Sequence, residues 1–141
     1  FGYVYFRDTL PLNLTEVFQR DSTIQFMEFK LNLRNQFPVD GKAQLYFIDP
    51  DGVKIDSLNQ DGYINISSAN VKNGKVLNEV YKNYSVKFNP TRIDNLESAD
   101  RIIIEAGILP DESISTDNVQ YFSNYYLKIQ VAVRVDFKIS L

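Results

Sequence analysis

Seven apolar residues recur at every second position near the end of the chain: Leu127, Ile129, Val131, Val133, Val135, Phe137 and Ile139. Between them lie Lys128, Gln130, Ala132, Arg134, Asp136 and Lys138. Successive side chains of a strand point to opposite faces, so this spacing predicts one long β-strand with a buried face and a wet face. A helix would scatter the seven residues around its circumference.

Shorter alternations run through the rest of the chain. Leu10, Leu12 and Leu14 alternate across Thr9–Val17, after the aromatic residues Tyr3, Tyr5 and Phe6. Ile24 and Phe26 share one phase, and Phe29, Leu31 and Leu33 share the other, which predicts a β-bulge near Met27 and Glu28. A strand over Lys42–Asp49 puts Ala43, Leu45 and Phe47 on one face. Asp49-Pro50-Asp51-Gly52 then makes a turn, since proline presets φ and glycine accepts a positive φ, and Val53–Leu58 returns as the hairpin partner. Gly62–Ser67 reads as another short strand, and Gly74 as the tip of a second hairpin.

The segment Lys75–Tyr84 suits either a strand or a helix, and Ser85–Phe88 is extended up to Pro90. A short helix is expected around Thr91–Ala99, where Asp94 and Glu97 are spaced as in a capping box, with an irregular turn as the alternative. In Arg101–Leu109 the residues Ile102, Ile104, Ala106 and Ile108 face one way and Ile103 the other, which predicts a central strand. Pro110–Asn118 is a polar loop, and Gln120–Tyr126 leads into the final strand.

Turn signals every 8–15 residues and almost no helix predict an all-β fold. The expectation is a single domain over residues 1–141, an antiparallel β-sandwich of immunoglobulin-like, Greek-key type with seven to nine strands and one short helix. At 141 residues and 16.3 kDa the chain is long enough for a core without cross-links.

The composition excludes much chemistry. With no cysteine and no histidine, disulfides, thiolate nucleophiles, zinc fingers, haem ligation and His-based triads are ruled out. A Ser–Lys dyad has no marked partners, and most of the twelve Asp fall in predicted turns, where their side chains bond local backbone. A glycosidase would need two converging carboxylates. The chain is therefore expected not to be an enzyme, and no cofactor or metal is implied. Asp49, Asp51 and Asp56 are oxygen ligands that suit calcium, but a tight hairpin turn explains them better. A net charge of −3 with no Lys/Arg stripe opposes nucleic-acid binding. The neighbouring strands are too short and polar for an outer-membrane barrel.

Nine Tyr and ten Phe are the feature most open to a binding role. Tyr121, Phe122, Tyr125 and Tyr126 cluster before the last strand, and Tyr81 and Tyr84 form a second pair. Exposed tyrosines stack on the apolar faces of sugar rings, so Tyr121, Tyr125, Tyr126, Tyr81 and Tyr84 are the candidate ligand-binding residues. Packing across strands is the alternative for each.

The block Asn35–Asp40, followed by Ala43–Asp49 and Gly52–Leu58, together with Asn95–Ile104, resembles β-sandwich domains of exported Bacteroidetes surface proteins and lipoproteins. The first block is also similar to the desiccation-type LEA/WHy domain, whose Asn-Pro bend separates two paired strands. Here the bend is Asn35-Gln36-Phe37-Pro38, with Asn and Pro not adjacent.

The resemblance covers about half the chain, in packing and turn positions, and carries over no catalytic residue. It implies an extracellular or cell-surface setting, with any membrane attachment through a lipid anchor outside this chain. Partners would be a protein or a polysaccharide at the cell surface. The first residue, Phe1, fits a processed product or a domain of a longer exported protein. In such bacteria Asp-Ser/Thr triplets are glycosylated, and similar ones occur at Asp8-Thr9-Leu10, Asp21-Ser22-Thr23 and Asp56-Ser57-Leu58. Two function classes follow: a non-enzymatic module for adhesion, assembly or structural spacing, and a carbohydrate-binding module using exposed tyrosines.

Overall fold

The computed structural model describes residues 2–12, 22–109 and 125–139. In chain order its elements are β1 (Val4–Pro11), β2 (Ser22–Asn35), β3 (Gly41–Ile48), β4 (Lys54–Ser57), β5 (Ile64–Ile66), β6 (Asn70–Lys72), β7 (Lys75–Asn78), β8 (Val80–Phe88), α1 (Pro90–Asn95), β9 (Arg101–Ile108) and β10 (Leu127–Ile139). A 3-10 turn, Leu96–Ser98, continues α1. Among the described residues the fold is all-β, with antiparallel pairing throughout and one short helix. The described strands number ten: Asn70–Lys72 and Lys75–Asn78 are the two arms of the Gly74 hairpin, and Val80–Tyr84 joins Ser85–Phe88 as β8. Leu14–Val17, the Pro110–Asn118 loop, and Tyr121 and Phe122 lie outside the described residues.

One sheet runs β1-β9-β3-β4, with β5 also on β3, and a second runs β10-β2-β8. Strand β9 is central, as its apolar residues on both faces require: β1 lies on one side and β3 on the other. The free side of β3 is shared, with β5 opposite Gly41–Ala43 and β4 opposite Tyr46–Ile48. Gln44 sits at the split. Its buried amide donates to the carbonyls of Asn59 (2.8 Å) and Gly62 (2.6 Å), and its Oε1 accepts from the Leu45 and Asn59 amides, both at 3.1 Å. A side chain thus holds the 59–62 turn where no strand pairs with β3.

Both sheets feed one core. Met27, Phe29, Leu31 and Leu33 of β2 are fully buried against Ala43, Leu45 and Phe47 of β3, with Ile102 of β9 beside them. Phe29, Phe47 and Phe88 form a triangle with ring centroids 4.8–5.6 Å apart. That spacing favours edge-to-face contact and adds to the area each ring buries. Ala43, Leu45 and Phe47 face the core as their alternation predicts, but Ile48, opposite Lys54 of β4 and Arg101 of β9, is buried as well.

The bulge lies slightly earlier than the sequence suggests. Against β10, Ile24 pairs with Phe137 and Phe26 with Asp136, so Gln25 is the extra residue. Phase counting went astray at Phe26. Its ring lies on the outer face, under the Arg134 guanidinium at 5.5 Å and the Lys87 ammonium at 5.2 Å. Met27 begins the buried phase.

The helix also starts differently. Its N-cap is Asn89, whose side chain accepts from the Arg92 amide at 2.8 Å, with Pro90 in the first turn. Asp94 and Glu97 therefore do not form the expected capping box. Arg92 lies over the Phe88 ring at 3.7 Å and grips Asp56 at 2.9 Å, tying α1 to β8 and β4. The Asp49–Gly52 turn forms as expected, with Asp49 Oδ1 accepting from the Asp51 and Val53 amides and Gly52 at φ 83°. Asn73 and Gly74 both have positive φ, as a two-residue hairpin tip between Lys72 and Lys75 requires. Strand β1, in contrast, is exposed along its whole length, since among the described residues β9 is its one strand neighbour.

Candidate ligand-binding groove

Where β5 of the first sheet approaches β8 of the second, the surface opens into a groove of about 530 Å³. Tyr3, from the segment before β1, stands on one side, and Val80, Tyr81 and Lys82 of β8 stand on the other. Gly41 and Ile66 lie between, flanked by Asp40, Asn65 and Ser67. A Cβ at Gly41 would sit 3.2 Å from the Ile66 side chain, so any larger residue there would press on this floor. A concavity of about 620 Å³ on the β6–β7 hairpin is lined, among the described residues, by Lys72, Asn73, Lys75, Val76 and Leu77 of that hairpin.

Three features fix the groove. Lys82 Nζ donates to the Asn65 carbonyl at 2.6 Å, which joins β8 to β5. Asp40 Oδ1 accepts from the Ser68 amide at 2.8 Å. Asn35, buried at the end of β2, donates through Nδ2 to the carbonyls of Val39 (2.9 Å) and Ser67 (3.0 Å), while its Oδ1 accepts from the Phe37 amide (2.9 Å). One amide thereby ties the 36–40 bend to the segment that follows β5.

Tyr3 belongs to a cluster of rings around one cation. The Lys42 ammonium lies 3.9 Å from the Tyr3 ring centroid, 4.3 Å from that of Tyr63 and 5.2 Å from that of Tyr5, a cation among three π faces. Tyr3 and Tyr5 are stacked at 6.1 Å across Gly107, whose missing side chain leaves them room. Next to this cluster Glu105, only 2% exposed, accepts hydrogen bonds from the Tyr63 hydroxyl and from Arg7 Nε. That bond to Glu105, with partial burial and the nearby Tyr46, raises the Tyr63 phenol well above the ordinary tyrosine range.

The tyrosines singled out by sequence separate in the structure. Tyr81 and Tyr84 fall on opposite faces of β8. Tyr84 packs against the core opposite Leu31, whereas Tyr81 is 50% exposed, opposite Arg34 and on the groove wall. Tyr125 turns inward, its hydroxyl accepting from the Val76 amide at 2.9 Å and its ring lying edge-on to Phe37.

Tyr126 is exposed and donates to Glu79 at 2.9 Å, which raises its own pKa. Glu79 also meets Arg34 at 3.4 Å, and the Arg34 guanidinium lies 5.2 Å from the Tyr81 ring. Arg34, with Glu79, thus links Tyr81 on the groove wall to Tyr126. Tyr3, Asp40, Asn65 and Ser67 escaped the sequence reading because they are far apart in the chain. The nearest sequence signal was the Tyr3, Tyr5 and Phe6 run.

Chemically the groove offers two aromatic faces, a carboxylate, a hydroxyl, an amide and an ammonium. Such a set suits a ligand with both C–H faces and many hydroxyls. No family model matches the chain, and no curated protein is significantly similar to it.

Proposed function

We propose that this chain is a non-catalytic β-sandwich module of the immunoglobulin-like type that binds a polysaccharide at the cell surface. Two antiparallel sheets that share one core support the sandwich reading. The observation that carries the binding function is the groove between Tyr3 and Tyr81, whose aromatic walls are separated by the polar groups of Asp40, Asn65, Ser67 and Lys82. Tyrosine rings cover the apolar faces of sugar rings, and the polar groups between them meet the hydroxyls at the edges. The adhesive or envelope role expected from the resemblance is the setting in which such capture operates.

The test is a glycan and polysaccharide panel, followed by titration of each hit with Tyr3→Ala and Tyr81→Ala variants. Phe26→Ala, which removes a ring that meets Lys87 and Arg134 and does not line the groove, is the control. Binding lost in the first two variants and kept in the third supports the reading. A panel without a hit, or hits untouched by either groove variant, overturns it.

A further inference from the structure

The geometry points to a second copy of this chain as the partner of β10, joined edge to edge so that two three-stranded sheets become one of six strands. Strand β10 runs from Leu127 to Ile139 without proline or glycine, and among the described residues β2 is its only strand neighbour. An edge of this length exposes a row of unpaired backbone donors and acceptors, which proteins commonly block with proline, bulges or a covering element. The side chains also carry a sign of an absent neighbour. Val133 points to the same face as Ile129, Val131 and Val135, yet it remains 42% exposed.

The sequence of β10 is complementary to itself in one antiparallel register. Two copies related by a two-fold axis perpendicular to the sheet place residues of the same face opposite each other, so the axis falls on a single residue. Centred on Ala132, the outer face sets Lys128 against Asp136 twice and Gln130 against Arg134 twice, with the two small Ala132 side chains on the axis. The inner face sets Val131 against Val133 and Ile129 against Val135. This register covers the half-exposed Val133.

The neighbouring registers are worse. Centring on Val131 opposes Lys128 to Arg134, centring on Val133 opposes Lys128 to Lys138, and centring on Arg134 opposes that residue to itself. Like charges directly opposite destabilise a strand pair. Centring on Val135 pairs Arg134 with Asp136 but overlaps only Val131–Ile139, against Leu127–Phe137 for the Ala132 register. Within its own chain Lys128 lies opposite Arg34 with no carboxylate partner among the described residues, and Asp136, which meets its own Arg134 at 3.5 Å, would in the dimer also bring an anion to Lys128 of the second copy.

Sedimentation velocity on the intact chain tests association, and single cysteines test the register, since the natural sequence has none. Ala132→Cys is expected to cross-link two copies on mild oxidation, because directly opposed Cα atoms lie about 4.5–5.5 Å apart, within disulfide reach. Gln130→Cys is not, since its two copies are offset by about 14 Å along the strands. Lys128→Glu and Asp136→Lys are each expected to weaken dimerisation by roughly tenfold, and the double swap to restore it. Circular dichroism on each variant confirms that the fold is intact. A monomer at all concentrations, or a dimer that cross-links through residue 130 instead of 132, overturns the proposal. So does a dimer indifferent to the charge swap.

Discussion

The Tyr63 hydroxyl donates to one oxygen of the buried Glu105 carboxylate, linking the residue just before β5 to the middle of β9, two strands away. Arg7 of β1 grips the other oxygen. Glu105 is therefore the point at which the exposed edge strand β1 and the 59–63 turn are both anchored to the sheet. Glu105→Gln keeps the shape but turns an amide group toward one of two donors. Hydrogen bonds to a charged group contribute about 1.5–3 kcal/mol, so the variant is expected to lose about 2 kcal/mol in urea unfolding.

The same contact makes stability depend on alkaline pH. The Glu105 carboxylate, and then partial burial, raise the Tyr63 phenol above its ordinary value of 10.0. Below pH 10 the phenol is protonated in both the folded and unfolded chains, and its contribution is complete. Above pH 10 the unfolded chain ionises first, the folded state retains the proton, and stability falls as pH rises. Unfolding free energies from pH 8 to 11 are expected to drop more steeply for the natural chain than for Tyr63→Phe. Parallel curves would show that Tyr63 is not held neutral by the fold.

Phe47 belongs to the triangle with Phe29 and Phe88, and all three rings come from different strands. Phe47→Ala removes a fully buried ring where two sheets meet, and is expected to cost about 3–5 kcal/mol. Chemical denaturation measures this. A loss below about 1 kcal/mol would mean that the two sheets collapse around the gap.

At Gly107 a Cβ would lie 3.0–3.2 Å from the Tyr5 and Tyr3 rings. The nearest atoms belong to side chains beside an exposed strand, so the rings can lift away. Gly107→Val is expected to cost about 1 kcal/mol and to displace the Tyr3 and Tyr5 ring resonances together in NMR spectra. Unmoved resonances would show that the rings do not rest on the glycine.

Periodicity made the sheet elements legible where burial is one-sided. Ala43, Leu45 and Phe47 announce the core face of β3, and the mixed apolar faces of Arg101–Leu109 announce a central strand. It failed where an aromatic ring sits on the wet face. Phe26 reads as core by type, yet two cations hold it outside, which moved the bulge from Gln25 toward Glu28. Local spacing was also misleading at the helix, where the polar residue that caps it is Asn89, directly before Pro90. The groove was hidden for another reason. Its residues come from four separated stretches of chain, brought together by strand pairing that no local pattern encodes.

Asn35 gives the groove a particular thermodynamic character. Because one buried amide fixes the bend at Val39 and the carbonyl of Ser67, Asp40 and Ser67 are already in place before any ligand arrives. A preformed receptor loses little chain entropy when it is filled. Under the proposed sugar-binding function, selectivity would come from shape, with hydroxyls that match the fixed spacing of Asp40 and Ser67 favoured over those of an epimer.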